Sequence, residues 1–213
     1  MPKVLVIYAH PETAKGSSTR ELYKNFINSY QKNNPDDEII VHNISEYMPF
    51  SLDKTAISIY NKGLADCSLN PDEEIFQESR QKWVNEFMDA DKYVFVNPMY
   101  NMFLPAEMKS YIDMIMQIHS TFHYDENHLA VGDMHHKKAL HLQTSGGSYH
   151  DDKRNPDPQI MDLADRYLQM IMHLIGIDDY RAIFAEGMDK DPVNAIEILD
   201  KANEQAEKAG QEF

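Results

Sequence analysis

The chain has 213 residues, 42% of them hydrophobic, which fits one large domain with a sizeable buried core. Its formal net charge of −15 disfavours nucleic acid and anionic membranes as partners, because both would repel the protein. No apolar run approaches the roughly 20 residues of a membrane span, and the apolar run at residues 4–7 is too short for a secretory signal. The single cysteine, Cys67, allows no intramolecular disulfide. We therefore expect a cytoplasmic protein.

The first half of the chain alternates between short apolar runs and helical patterns. β-Branched runs predict three buried strands, at residues 3–9, 38–43 and 92–96. Apolar residues at a helical spacing predict a helix after Thr19 that ends before Pro35. They also predict a helix over residues 57–64 that lies across the sheet, and a helix that is capped by Asn70 and runs to about Met88.

The second half continues this alternation. It predicts helices at about residues 105–118 and 159–175, and a last helix that begins near Pro192 and frays into a charged tail. A polar loop is expected at residues 123–137, and two further strands at residues 138–144 and 179–185. Strands that alternate with helices are typical of a parallel α/β sheet. We therefore predict one domain, residues 1–213, with five parallel strands and helices on both faces.

Ligands of open α/β sheets bind outside the carboxyl ends of the strands, and three strand ends of this chain are followed by unusual loops. The first loop, residues 10–19, begins at His10 and ends in three hydroxyl side chains at a helix N-terminus, Ser17, Ser18 and Thr19. Backbone N–H groups, hydroxyl donors and the positive end of the helix dipole suit a phosphate group. Alternatively, Ser17 only caps the helix and His10 is a polar residue with internal partners. Neither the Walker A pattern nor the dinucleotide glycine pattern is present.

The second loop, residues 97–103, is apolar and aromatic and follows a buried strand directly. Its candidate ligand residues are Pro98, Met99, Tyr100, Asn101 and Met102. Such a loop is costly when it faces water. It either packs in the core or at a subunit contact, or it covers a planar ring, with side chains stacking on the ring and backbone amides reaching its edge.

The third loop, residues 144–150, begins with Thr144, Ser145, Gly146 and Gly147. Two glycines after a strand let the backbone approach a ligand closely and leave its N–H groups free to donate. The alternative is an ordinary glycine turn. Because three such loops at one sheet edge are unlikely to coincide by accident, we predict a single binding site there.

Three side chains near these loops, Tyr124, Tyr149 and His150, are candidates to line an acceptor pocket or to donate a proton. The chain has ten histidines, which raises the question of a metal site. Only His119 and His123 have a helical i, i+4 spacing, and no Cys partner or H-E-x-x-H pattern accompanies them. We therefore predict no metal.

Several short motifs, in this order, resemble those of one enzyme family. They are residues 3–6, Pro98-Met99-Tyr100-Asn101, residues 121–124, Ser145-Gly146-Gly147 and residues 184–187. With them the chain resembles the flavodoxin-like NAD(P)H:quinone oxidoreductases, and most closely the FMN-dependent NADH-azoreductases. The resemblance implies a doubly wound sheet of strand order 2-1-3-4-5. It also implies a homodimer with one FMN per subunit, which takes hydride from NADH or NADPH and passes it to a quinone or azo acceptor by a ping-pong mechanism.

The resemblance also assigns roles to the three loops. Residues 17–19 match the family's FMN phosphate loop, residues 99–102 the loop that lines the isoalloxazine, and residues 144–147 the loop that closes its other side. Backbone N–H groups of residues 101–103 and 146–147 are expected to hold the edge of the ring and to stabilise negative charge on it. The chain departs from the azoreductase branch at Ala9-His10-Pro11, which is similar to the broader quinone-reductase branch, and at Met102, where that branch has phenylalanine.

Two alternative functions fit the same fold. One is a flavodoxin-type electron carrier, which the acidic charge would suit. The other is a regulatory or interaction subunit that binds FMN without turning over NAD(P)H. Dimerisation has one further support in the sequence, the apolar helix face from Met108 to Ile118.

Overall fold

The computed structural model describes residues 1–11, 16–150 and 161–213. Within these ranges the chain forms seven strands: β1 (Lys3–Tyr8), β2 (Glu38–Asn43), β3 (Lys92–Pro98), β4 (Phe122–Tyr124), β5 (Ala130–Gly132), β6 (Lys138–Ser145) and β7 (Asp179–Glu186). It forms six helices in the same ranges: α1 (Ser18–Asn33), α2 (Lys54–Leu64), α3 (Pro71–Asp89), α4 (Ala106–Ile115), α5 (Leu163–Leu174) and α6 (Ala195–Glu212).

Five of the strands form one parallel sheet in the order β2-β1-β3-β6-β7. Strands β4 and β5 form a separate antiparallel pair. The five sheet strands taken in chain order therefore lie in the order 2-1-3-4-5, and the predicted flavodoxin-like topology is confirmed. Since all five strands run in the same direction, their carboxyl ends lie at a single edge of the sheet.

Helices cover both faces of the sheet, as the alternating pattern predicted. On one face, Leu5 and Phe95 pack with apolar residues of α3, α4 and α5. On the other face, Val6 and Val94 pack with residues of α1 and α6. In the central strands β1 and β3, the even and odd positions thus enter two separate cores, which explains why residues 4–7 and 93–96 are apolar without interruption.

The structure corrects several details of the sequence prediction. The segment at residues 123–137 is not a plain polar loop, because β4 and β5 form a hairpin there. Helix α2 does not cover the sheet: it packs against α3, and none of the residues Lys54–Leu64 is buried. Helix α4 ends at Ile115, three residues earlier than predicted. Helix α6 begins at Ala195 rather than near Pro192.

The ends of α5 and α6 differ from the predictions for physical reasons. Helix α5 begins at Leu163 because the Asp162 carboxylate accepts the Asp165 N–H and caps the helix; residues 159 and 160 lie outside the described ranges. Helix α6 does not fray, since Phe213 is buried and its ring lies 5.9 Å from that of Phe26. In the part of the chain that the structure describes, no helix combines the length and the apolar character that crossing a membrane would require.

Candidate active site

The three loops meet at the carboxyl edge of the sheet. The parallel register pairs Pro98 of β3 with Thr144 of β6. The Met99 N–H donates to the Thr144 carbonyl at 2.8 Å, which joins the second loop to the third. The Thr19 and Thr144 hydroxyls lie 2.6 Å apart in a buried position, which joins the first loop to the third. The sheet therefore brings together the three segments that the sequence placed at one site.

The described part of the first loop is held by His10 and Ser17. The His10 Nδ1 donates to the Pro11 carbonyl at 2.9 Å, because a carbonyl can only accept, and the His10 Nε2 lies 2.9 Å from the Ser17 hydroxyl. Ser17 also caps α1 by accepting the Arg20 N–H at 3.2 Å. The N–H groups of Ser18 and Thr19 make no hydrogen bond to any described residue. Ser17 thus caps the helix, and Ser18 and Thr19 keep the two backbone donors that suit an anion.

The second loop contains a tight turn with strained backbone. Tyr100 and Phe103 exchange two N–H···O bonds of 2.9 Å each. The two residues between them both have left-handed backbone, with φ of 49° at Asn101 and 67° at Met102, as in a type I′ turn. The N–H groups of these two residues have no partner among the described residues. Left-handed backbone at two successive non-glycine residues is costly, and strain of this kind concentrates at ligand sites.

The third loop is built around Gly146. A Cβ at this position would lie 1.9 Å from the Asp189 Oδ2, so only glycine fits without rearrangement. The Asp189 N–H donates to the Gly146 carbonyl at 3.1 Å, and the Gly187 N–H donates to the Gly147 carbonyl at 2.8 Å. These bonds use the carbonyls of the loop, while the N–H groups of Gly146 and Gly147 make no hydrogen bond within the described ranges. The loop therefore presents donors.

A carboxylate that the sequence interpretation did not assign, Glu186, holds the end of the third loop. It accepts the backbone N–H groups of Tyr149 and His150 at 3.0 Å each, and the His150 Nδ1 at 3.0 Å. Burial alone would raise the pKa of Glu186, but the His150 ring and these N–H groups outweigh it and lower the pKa to about 2. Glu186 stands in the motif of residues 184–187, which carried the family resemblance and could have drawn attention to it.

The acceptor-pocket candidates are in different surroundings. The His150 ring stacks on Phe184 with centroids 3.8 Å apart. Burial lowers the pKa of His150, and the nearby carboxylates of Glu186 and Asp162 raise it, so that the net shift is upward. Tyr149 follows directly in the same loop, and its ring lies beside Gly147. Tyr124, on β4, is about half exposed, and no hydrogen bond or ring contact joins it to the three loops in the described ranges.

Beneath the second and third loops lies a buried cluster of polar side chains, which the sequence interpretation missed. The fully buried His141 ring lies 2.8 Å from the Asp165 carboxylate and 3.1 Å from the Asn97 amide oxygen. Tyr180 donates to the same Asp165 oxygen at 2.6 Å. Burial raises the pKa of Asp165, but the bonds from His141 and Tyr180 outweigh it and hold the pKa below its usual range.

The second half of this cluster runs through Gln143. Its amide nitrogen donates to the buried carboxylate of Asp162, and its amide oxygen lies 3.4 Å from the Asn97 amide nitrogen. His141 and Gln143 are two residues apart on a strand and therefore share one face. Two polar residues on one face of an otherwise apolar strand were the sequence signal for a buried network, because buried polar groups need partners.

The donors at this edge fit the flavin mononucleotide that the resemblance implies. A helix N-terminus with two unbonded N–H groups suits a phosphate. Unbonded N–H groups in the second and third loops suit the carbonyl oxygens and ring nitrogens at the edge of a flavin. Met99 and Tyr100 supply apolar surface beside them, and Tyr100 is 47% exposed. Within the described ranges no three His, Cys, Asp or Glu side chains are arranged to hold a metal ion.

Comparison with known proteins places the whole chain among flavoproteins. A family model described as "Flavodoxin-like fold" matches residues 2–209. The chain is 38% identical to an FMN-dependent NADH:quinone oxidoreductase of Lactiplantibacillus plantarum and 36% identical to one of Lactococcus lactis, each over the full length of both chains. Among solved structures, an azoreductase from Bacillus anthracis superposes with a TM-score of 0.91 at 27% identity over all of both chains. An FMN-dependent NADH-azoreductase from Bacillus anthracis, solved in complex with FMN, superposes with a TM-score of 0.90 at 29% identity over 100% of this chain and 99% of that one.

Proposed function

Because this chain belongs to the flavodoxin-like family that includes FMN-dependent NADH:quinone oxidoreductases, we propose that it is an oxidoreductase that reduces quinones and azo compounds. Its cofactor is FMN and its co-substrate is NADH or NADPH. The observation that carries this proposal is the row of unbonded backbone N–H groups at one sheet edge, from Ser18 and Thr19 through residues 101 and 102 to residues 146 and 147. The electron carrier and the regulatory subunit would bind FMN through the same donors, and the NADH:quinone oxidoreductases among the relatives favour the enzyme over both.

Each loop has one part in this proposal. FMN held at this edge would supply the chemistry of hydride transfer between NAD(P)H and the acceptor, while the protein orients the reactants. The N-terminus of α1 binds the phosphate, with Ser17 and His10 fixing the start of the helix. The second loop, with Pro98, Met99, Tyr100, Asn101 and Met102, lines one side of the ring. The third loop, with Thr144, Ser145, Gly146 and Gly147, closes the other. Preformed N–H donors stabilise negative charge on the ring because they need no reorganisation during the reaction.

The acceptor and the nicotinamide would occupy the space beside the exposed Tyr100. His150 and Tyr149 lie at the end of the third loop, where Glu186 orients both residues through their backbone N–H groups. We propose that these two side chains line the acceptor pocket. Tyr124 belongs to the same proposal only if a second subunit brings it there, since the described part of this chain shows no contact between Tyr124 and the loops.

We also propose that the protein is a homodimer, and the support for this comes from α2. The predicted interface helix is not exposed: Met108, Ile112 and Ile115 are completely buried in their own chain. Helix α2 instead presents Ile57, Tyr60 and Leu64 to solvent, each more than half exposed. The preceding segment adds four exposed apolar side chains, Tyr47, Met48, Phe50 and Leu52. Exposed apolar side chains that are concentrated in one stretch of the chain are typical of protein interfaces.

Two further proposals complete the functional assignment. We propose that residues 1–213 act as one FMN-binding domain, since the relatives match over their full length. We also propose a cytoplasmic location, which is supported by the exposed free thiol of Cys67, because a reducing compartment preserves such a group.

The test is an absorption spectrum of the purified protein with FMN, recorded anaerobically before and after NADH and then menadione are added. We expect the flavin absorbance to bleach with NADH and to recover with the quinone. Binding of FMN without bleaching by NADH or NADPH would contradict the proposal and favour the carrier or the regulatory subunit. Absence of FMN binding would also remove the assignment of the three loops.

A further inference from the structure

The buried ring of His141 is a titratable group that the proposed reaction does not use and whose two nitrogens both have oxygen partners. His141 is completely buried on β6, and its ring faces α5 and β3. Its Nδ1 lies 2.8 Å from the Asp165 Oδ1, and its Nε2 lies 3.1 Å from the Asn97 Oδ1. Each ring nitrogen therefore has one oxygen partner, and the protons on the ring depend on which of these oxygens can donate.

The orientation of the Asn97 amide follows from a chain of bonds that begins at Asp162. This buried carboxylate accepts the Asp165 N–H at 2.8 Å and the Gln143 side-chain nitrogen. Gln143 must therefore turn its nitrogen to Asp162 and its oxygen to Asn97, where the Asn97 nitrogen lies 3.4 Å away. The Asn97 nitrogen also donates to the Pro98 carbonyl at 3.1 Å. With the nitrogen used in this way, the Asn97 oxygen faces His141 and can only accept.

The second partner of the ring cannot donate either. The Asp165 oxygen beside the His141 Nδ1 already accepts the Tyr180 hydroxyl at 2.6 Å. A neutral imidazole has one N–H, so its other nitrogen would carry a lone pair. That lone pair would face an acceptor oxygen, of Asp165 or of Asn97, in a site without water contact. Turning the Asn97 amide over only moves the conflict, because its oxygen would then face the Pro98 carbonyl and the Gln143 oxygen.

We infer that His141 carries both ring protons, as an imidazolium paired with Asp165, and that it positions the second loop through Asn97 and the Pro98 carbonyl. The groups that face the ring are Asp165 on α5, Tyr180 on β7, Asn97 on β3 and the edge-on ring of Phe184 on β7. Only one of these, Asp165, carries charge, so the pair is neutral as a whole. His141 is therefore a positioning residue. Its ring binds the Asn97 oxygen, and the Asn97 nitrogen donates to the carbonyl of Pro98, the residue directly before residues 99–102.

The protonation state can be measured directly on the wild-type holoenzyme. In a protein with ¹⁵N-labelled histidine, we expect the nitrogen shifts of His141 at neutral pH to show two protonated nitrogens and two N–H cross-peaks that exchange slowly. Contacts of the ring protons with Phe184 and Tyr180 assign the signal without any variant. One unprotonated ring nitrogen would overturn the inference, whether or not the protein turns over NADH.

The positioning role is tested by FMN affinity, and this part rests on the proposed assignment of residues 99–102 to the flavin. Apoprotein titrated with FMN and followed by flavin fluorescence should show the dissociation constant rising about tenfold in His141→Gln, which leaves a buried acceptor unpaired. We expect a similar rise in Asn97→Ala, which removes the bond to the Pro98 carbonyl.

His173→Gln is the matched control, since it removes a histidine that pairs with an aspartate, Asp178, on the surface of the molecule. Unchanged FMN affinity in both His141→Gln and Asn97→Ala would overturn the positioning role, whereas failure of NADH to bleach the wild type concerns the proposed function alone.

Discussion

At the scale of single residues, Glu186 shows how one side chain organises a loop. It ends β7, and its two oxygens accept from the backbone and side chain of His150, the backbone of Tyr149 and the hydroxyl of Ser148. Four donors on one carboxylate stabilise its charged form, which is why its pKa falls to about 2 in spite of burial. The position of residues 148–150, and with them the proposed acceptor pocket, depends on this single charge.

A prediction about acid stability follows from Glu186. In the unfolded chain this carboxylate has a pKa of about 4.5, and in the folded protein about 2. The unfolded state therefore takes up the proton first, so the stabilisation is complete above about pH 4.5 and is lost as the pH falls towards 2. We expect Glu186→Gln to lower the free energy of unfolding by about 1–3 kcal/mol at pH 7, because the donors lose their charged acceptor.

The measurement is urea unfolding of the wild type and the variant at several pH values. The difference between the two proteins should shrink as the pH falls from about 4.5 towards 2. Glu212→Gln removes an exposed carboxylate that lies 3.8 Å from Lys208, and it should leave stability nearly unchanged. A difference between wild type and Glu186→Gln that stays constant with pH would contradict the role given to the charge.

At the scale of elements, the turn at residues 187–189 supports the third loop. Gly187, with φ of 85°, reverses the chain after β7 and donates to the Ser145 and Gly147 carbonyls. Asp189 then donates its N–H to the Gly146 carbonyl and places its carboxylate where a Gly146 Cβ would be. The loop after β6 is thus shaped by the loop after β7, its neighbour in the sheet.

From this packing we predict how a side chain at Gly146 would change the affinity for FMN. Gly146→Ala should raise the FMN dissociation constant about tenfold, or about 1.4 kcal/mol, because the new Cβ displaces the loop from Asp189. Gly63→Ala is the matched control: a Cβ at Gly63 meets nothing within 4 Å, and the residue lies in α2. This control should leave FMN affinity unchanged and stabilise the protein by about 0.5–1 kcal/mol.

A double variant separates two explanations of such a loss. If the methyl group acts through Asp189, Gly146→Ala combined with Asp189→Ala should recover most of the FMN affinity, because the carboxylate that overlaps with the Cβ is gone. If the methyl group occupies space that the cofactor needs, the double variant should bind FMN as weakly as the single one. Fluorescence titration of both apoproteins distinguishes the two. Full FMN affinity in folded Gly146→Ala would contradict the close-approach argument itself.

At the scale of the whole molecule, charge and apolar surface act against each other. A net charge of −15 on each chain opposes association of two copies, whereas the exposed side chains of α2 and of residues 47–52 favour it. Association driven by apolar contact and opposed by like charge should strengthen with salt, because salt screens the repulsion over distances of about 10 Å. In such a dimer, the apolar side chains of α2 that are exposed in the single chain would be buried at the interface.

We predict that the wild type sediments as a dimer and that Ile57→Glu combined with Tyr60→Glu sediments as a monomer. The two substitutions place charge in the centre of the α2 surface, where neither residue is buried in its own chain, so the fold should be retained. Val193→Glu, at an apolar side chain that is 91% exposed elsewhere, should remain a dimer. Sedimentation at low and high salt also tests the charge argument. A dimeric double variant would show that the interface lies on another surface.

Local sequence patterns were sufficient to predict the five strands of the sheet and the positions of the three loops along the chain. Uninterrupted apolar runs such as residues 93–96 predict a strand clearly because both faces of the strand are buried. Once the strands are parallel, their carboxyl ends must share an edge, and loops of unusual composition there predict a ligand. The sequence did not predict the short hairpin of β4 and β5, because strands of three residues are too short to show a period of two.

Only the tertiary structure decided which side chains complete the site. Glu186 contacts residues that precede it by about 36 positions, and Asp165 reaches His141 from another element, so no local spacing reveals either pairing. The helix from Ala106 to Ile115 has an apolar face that would suit an interface, and the structure shows this face in the core, where it packs with the sheet and with α3. Local periodicity determines that a face must be buried, whereas the partner that buries it depends on how distant elements pack.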